Sequence, residues 1–146
     1  MGANEELQFV DTDILVYAHD RSAMSKHQRA EELVEELWGN HLGCLSLQVM
    51  QEFYVVTTQK IAKPLEQETA TRILRDLTQW NLHAPIAEDV LGAVGVQQRH
   101  GLSFRNAMIL WSAQQLGCRI LWSENMNEGL EYGNLRVLNP FRAGVN

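Results

Sequence analysis

The sequence is poor in cysteine, proline and basic charge, and each shortage narrows what the chain can be. Its two cysteines, Cys44 and Cys118, stand far apart in apolar stretches. Neither has a second cysteine at metal-ligand spacing, so a thiolate metal site or a disulfide framework is the lesser reading. Buried free thiols in a reducing cytosol are the expectation, which places the protein in the cytoplasm. Three prolines leave no Pro-rich linker. No apolar run approaches the ~18 residues of a membrane span, so no membrane association is expected. The polar, acidic start MGANEELQ is no secretory signal. Twelve basic against eighteen acidic residues give a net charge of −6. That argues against broad nonspecific nucleic-acid binding, which needs a basic surface. A nuclease whose acidic site holds cations stays open. Nine of the twelve basic residues are arginine, the side chain better suited to phosphate.

What the chain does have is a 45% apolar content over 146 residues, enough for one domain with one substantial core. The apolar pattern alternates between short runs and helical stretches. LQFV reads as a strand ending at Asp11, and TDILVYAH as a short helix. SAMSKHQRAEELVEELWGN is an amphipathic helix, with Ala30, Leu33, Val34 and Leu37 at i, i+3, i+4 and i+7 and Gly39-Asn40 as its stop. GCLSL is a strand, and Ser46 is placed to cap the helix LQVMQEFYVVTTQKI. KPLEQETATRILRDLTQW carries Ile73, Leu74 and Leu77 on one face. NLHAPI suits an edge strand because of its proline. AEDVLGAVGVQQRHG is helical with a stop at Gly101. SFRNAMILWSAQQLG is helical from a Ser103 cap to Gly117. CRILWS and NLRVLNP are the last strands. Strands alternating with helices predict a parallel sheet covered on both faces. In such sheets ligands bind beyond the carboxyl ends of the strands.

Four polar positions fall at those ends. Asp11 follows the first strand, in DTD with Asp13. Glu52 interrupts an apolar helix face beside Val49, Phe53 and Val56, where a charge must be paired, solvated in a cleft or bound to a cation. Asn106 lies in the first turn of SFRNAMIL. Asn125 ends Ser123-Glu124-Asn125, just after the strand RILW. Each has a plainer reading: Asp11 or Thr12 as a helix cap, Glu52 as a surface residue, Ser103 and Asn106 as a weak capping box, SEN as a polar loop. Together they suggest converging carboxylates, which stay ionised only around a positive charge. Hard divalent ions, Mg²⁺ or Mn²⁺, match oxygen ligands, and such ions support phosphodiester hydrolysis. Arg105, Arg21 and His19 lie near these motifs, as RNA contacts or as solvated surface. Trp111 and Trp122 are expected in the core.

FVDTDILVYAHD, LSLQVMQEFYVVTTQK, GLSFRNAMILWSA, ILWSENM and LRVLNPF, in that order, resemble the PIN domain family, and in particular VapC-like toxin ribonucleases. The resemblance runs from about Leu7 to Phe141. It implies a three-layer α/β/α fold around a five-stranded parallel sheet, as a single domain over residues 1–146 with polar tails. It implies a metal-dependent endoribonuclease using Mg²⁺ or Mn²⁺ on RNA. Position by position, the four site acids of the family fall on Asp11, Glu52, Asn106 and Asn125, so two of the four are amides here. Thr12 and Ser123 match the small hydroxyl residues beside them. Asp13 stands where the family often has Asn. Asn keeps one carbonyl oxygen but loses the charge. Asp13 and Glu124 are placed to restore part of it. The alternative reading is a degenerate PIN domain that binds RNA or an antitoxin with little catalysis. The resemblance further implies a small antitoxin as partner and a homodimer.

Overall fold

The structure, a computed structural model, describes residues 6–142. The polar tails expected at the two ends fall almost wholly outside the described residues. Strand β1 (Gln8–Val10) leads into helix α1 (Thr12–His19). A 3-10 turn over Arg21–Ala23 precedes α2 (Ser25–Asn40). Then come β2 (Gly43–Ser46), α3 (Leu47–Gln59), α4 (Gln67–Leu77), β3 (Asn81–His83), α5 (Ala87–His100) and α6 (Phe104–Gln115). The chain closes with β4 (Ile120–Trp122), β5 (Glu131–Tyr132) and β6 (Leu135–Leu138).

The strands form one sheet in the order β3-β2-β1-β4-β6-β5. All neighbours run parallel except β5, which pairs antiparallel with β6. The expected five strands are present, with NLHAPI at an edge. The sixth, β5, corrects the five-stranded, all-parallel expectation. Its cause is local. Gly133 takes a φ of 65° between Tyr132 and Leu135, which lets the chain fold back in a two-residue turn. Both edges are thus short: three residues at β3 and two at β5.

The helices form two packed groups, α1 with α2 and α3 and then α3 with α4, and α5 with α6. With the sheet between them they make three layers. Phe9, Val10, Leu45, Leu121 and Val137 fill the sheet, and Ile14, Leu33, Leu37, Phe53 and Ile109 pack from the helices, all essentially without solvent exposure. Ala30, Leu33, Val34 and Leu37 form the buried stripe of α2, as their spacing predicts. That helix runs through Gly39 and Asn40, however, and stops only at His41, which takes the left-handed conformation. Ser46 and Ser103 cap α3 and α6 through their hydroxyls. Cys44 and Cys118 are both free and buried, and the Cys44 thiol donates to the Leu42 carbonyl at 3.6 Å. Trp122 is buried, and Trp111 packs against the core.

Strand order decides where a site can form. The chain moves outward from β1 through β2 to β3, then returns to the other side of β1 for β4. The end of β1 is therefore the switch point, where a crevice opens beyond the sheet. Asp11 is the first residue past that end, and its N–H donates to the Trp122 carbonyl at 2.9 Å.

Candidate metal-binding active site

Asp11 is wholly buried. As the residue capping α1 it keeps extended backbone angles, which turn its carboxylate across the ends of β1 and β4. The carboxylate accepts from the Thr12 N–H at 2.7 Å and from the Ser123 hydroxyl at 2.8 Å. The cap reading and the site reading of Asp11 are therefore compatible. Glu52 reaches the same point from α3. Val49 and Phe53 beside it are fully buried, which forces that face of α3 inward. The Thr12 hydroxyl donates to Glu52 at 2.6 Å, so one residue ties the two acids together, through its N–H on one side and its hydroxyl on the other.

A positive charge does sit among these acids, and it belongs to the chain itself. The guanidinium of Arg105 donates to Asp11 at 2.8 and 3.3 Å and to Glu52 at 2.7 and 3.2 Å. It also donates to the Asn106 side-chain oxygen at 3.1 Å and to the Thr12 hydroxyl at 3.2 Å. Burial works to raise the Glu52 carboxyl, but the Arg105 and Thr12 hydrogen bonds outweigh it and hold Glu52 below the usual range. Burial likewise opposes the charge on Arg105, and its bonds to Glu52 and Asp11 overcome that and raise it.

Asn106 therefore joins Asp11 and Glu52, while Asn125 does not. The Asn125 amide donates to Asp13 at 3.0 Å instead. Asp13 belongs to a neighbouring acidic cluster with Glu124, which accepts from the Tyr17 hydroxyl at 2.8 Å and pairs with Lys26. Burial, with Asp11 and Glu124 close by, pushes the Asp13 carboxyl up to about 7. His19 lies away from the acids, its Nδ1–H donating to the Leu15 carbonyl at 2.9 Å and its ring meeting Phe53 edge-on.

No group of three or more His, Cys, Asp or Glu side chains among the described residues forms a metal cluster. The oxygens that converge on Arg105 nevertheless make a cation site: two carboxylates, an amide oxygen and a hydroxyl around one positive group. The guanidinium is the stand-in ion that shows the fit. Beside it, the Gln48 side-chain oxygen is buried without a partner among the described residues. The same Gln48 amide donates weakly to Glu52 at 3.4 Å. Hard oxygen donors of this kind suit Mg²⁺ or Mn²⁺. A cavity of ≈ 680 Å³ opens in front, lined by Asp13, Glu52, Arg105 and Asn125 on one side and by Val16 and Val55 on another.

The part of the site that sequence reasoning missed is the position of Arg105, which it treated as an RNA contact or solvated surface. A signal existed. Arg105 is the second residue of α6, where the helix dipole mildly disfavours a cation and a nearby acid would offset it. The tie of Lys26 and Tyr17 to Glu124, from 98 and 107 residues away, left no such trace.

Residues 9–127 match the model of the PIN domain. A search of curated proteins gives no significant match. Among solved structures, a toxin–antitoxin complex from Klebsiella pneumoniae superposes with a TM-score of 0.65 at 21% identity, covering 92% of this chain and 98% of that one. VapC20 of Mycobacterium tuberculosis, a sarcin–ricin-loop-cleaving toxin, gives 0.63 at 18% identity, over 81% and 91%. VapBC2 from Rickettsia felis, bound to a promoter DNA fragment, gives 0.63 at 19% identity, over 91% and 98%. At these identities the likeness is one of fold.

Proposed function

The chain belongs to the PIN domain family, and from that premise we propose that it is a metal-dependent endoribonuclease of the VapC toxin type, working as a single PIN-like domain. The observation that carries the reading is the convergence of Asp11 and Glu52, from β1 and α3, on one cation at the switch point of the sheet. Members of the family cut RNA, and one structural neighbour is a toxin that cleaves the sarcin–ricin loop.

In this reading Asp11 and Glu52 hold Mg²⁺ or Mn²⁺ by charge, and Asn106 contributes its amide oxygen. Asn125 completes the set once its side chain leaves Asp13. When bound, the ion supplies Lewis acidity toward an RNA phosphodiester. The chain's own part is positional. Ser123 and Thr12 fix both carboxylates by hydrogen bonds, so their oxygens are aimed before substrate arrives. The cavity beside them receives the nucleic-acid strand. Neighbours that are toxin–antitoxin complexes support a small antitoxin as partner; that the working state is a homodimer is part of the same proposal.

The test is RNA cleavage by the purified protein with Mn²⁺ or Mg²⁺, and its loss in Asp11→Ala. Metal-dependent cleavage that persists in Asp11→Ala removes the site assignment. A second reading, a domain that binds RNA or an antitoxin with little catalysis, draws on one observation: Asn106 and Asn125 spend their side chains on Arg105 and Asp13. It expects a silent parent and cleavage by the Asn106→Asp/Asn125→Asp variant. A parent that cleaves as well as the variant removes it.

A further inference from the structure

We propose that Arg105 is a resident counter-ion of the acidic site, which a divalent cation must displace in order to bind. The inference rests on the reading of Asp11 and Glu52 as metal-holding carboxylates and adds how that site is controlled.

The geometry leaves no neutral arrangement in which both cations share the site. Arg105 uses three nitrogens, and each carboxylate receives two of its hydrogen bonds. The Asn106 oxygen, the third donor a metal would want, is taken by the same guanidinium. Two positive groups a few ångströms apart inside a partly desolvated pocket repel strongly. Metal entry and Arg105 engagement are therefore alternatives for the same oxygens.

Arg105 is also built to leave. Its side chain is 33% exposed, while Asp11 beneath it is fully buried. The cavity it lines gives the guanidinium somewhere to go. Its backbone carbonyl is held by the Gln48 amide at 3.3 Å, so the main chain stays while the side chain swings. Its place in the first turn of α6 is unfavourable for a cation, and the bonds to the two acids offset it. A lysine would not serve equally, because the planar fork of arginine spans both carboxylates at once. Two consequences follow. The acidic site folds without metal, and the affinity for metal is the difference between the two cations, not that of the carboxylates alone.

The experiment is calorimetric titration of Mn²⁺ into the metal-free full chain and into Arg105→Gln. The variant is expected to bind at least about tenfold more tightly, with Arg105→Lys in between. The tighter binding is expected to disappear in Arg105→Gln/Asp11→Ala. In parallel, Mg²⁺ titrated into the parent is followed by NMR on the Arg105 Nε–H, assigned in the parent by through-bond correlation to the Arg105 backbone. That signal is expected to move as the site fills. Equal affinities in parent and variant, or Mg²⁺ saturation with an unmoved Arg105 signal, overturn the displacement and leave the metal site standing. Binding that survives the Asp11 change also overturns it. No Mn²⁺ binding by any of the proteins overturns both the displacement and the metal-site reading. The NMR arm uses the parent alone, so it decides even if Arg105→Gln does not fold.

Discussion

Replacing Asp11 by Asn separates two physical pictures of the site by the sign of its effect on stability. If the acids faced one another without an internal cation, removing one charge would relieve repulsion and stabilise the fold. With Arg105 between them, the same change should destabilise it. Asp11 is fully buried and accepts from Thr12, Ser123 and two nitrogens of Arg105. Asn keeps the shape and one oxygen, which can retain the Thr12 N–H. The Ser123 hydroxyl can turn to accept from the new amide. The loss that remains is the bond pair to Arg105. Breaking one side of a buried ion pair costs about 3–5 kcal/mol. Arg105 is one-third exposed and keeps Glu52, so the expected cost is about 2–3 kcal/mol. The assay is urea unfolding with a chelator at pH 7.5. With a slope of about 1–3 kcal/mol per molar, the midpoint should fall by about 1 M with the slope unchanged. In the Arg105→Gln background the penalty should vanish, because the partner it depends on is gone. A midpoint that stays or rises in the parent background refutes the reasoning.

Two further outcomes follow from other parts of the molecule. A Cβ added to Gly92 would lie 2.3 Å from the Trp111 ring, whose indole N–H is tied to Asp89 at 3.0 Å. Gly92→Ala is therefore expected to lower stability by about 1–3 kcal/mol, whereas Gly95→Ala on the same helix, with nothing within 4 Å, should raise it by about 0.5–1 kcal/mol; thermal unfolding of both variants checks the contrast, and equal shifts refute it. The Asp13 carboxyl, raised by burial and by Asp11 and Glu124 to about 7, binds its proton more tightly folded than unfolded, so it removes stability as pH climbs from about 4 to about 7 and no more above that. In metal-free buffer, Asp13→Asn should gain on the parent across that window and then run parallel; a gap that does not change with pH refutes the shift.

Much of this architecture could be read from residue order because it is set locally. Ser46 and Ser103 announce the starts of α3 and α6, and both hydroxyls make the expected bond. The stripe of α2 announces its buried face. Asp11 and Glu52 could be placed together because a strand end and a charge on an apolar helix face both point to the switch crevice. What could not be read depends on distant geometry or on small energies. The end of α2 slips past Gly39, since nothing there requires a left-handed residue, and the turn falls on His41. Strand β5 is two residues long, too short for any alternation, and only the Gly133-Asn134 pair hints at it. The reach of Arg105 follows from how the start of α6 lies over the end of β1, which no spacing within either segment encodes.

The lengths of the two outer strands limit how copies of this protein can meet. Strand addition needs a row of free backbone groups, and β3 offers three residues and β5 two. At β3, the His83 ring is already bound to Ser112 on α6 and faces Asp89 on α5, closing the flank with side chains. A continuous sheet running from one molecule into the next therefore has almost no template. An assembly of this chain with itself would then rest on side-chain contacts, each of which can be altered by one substitution without touching the backbone that aims Asp11.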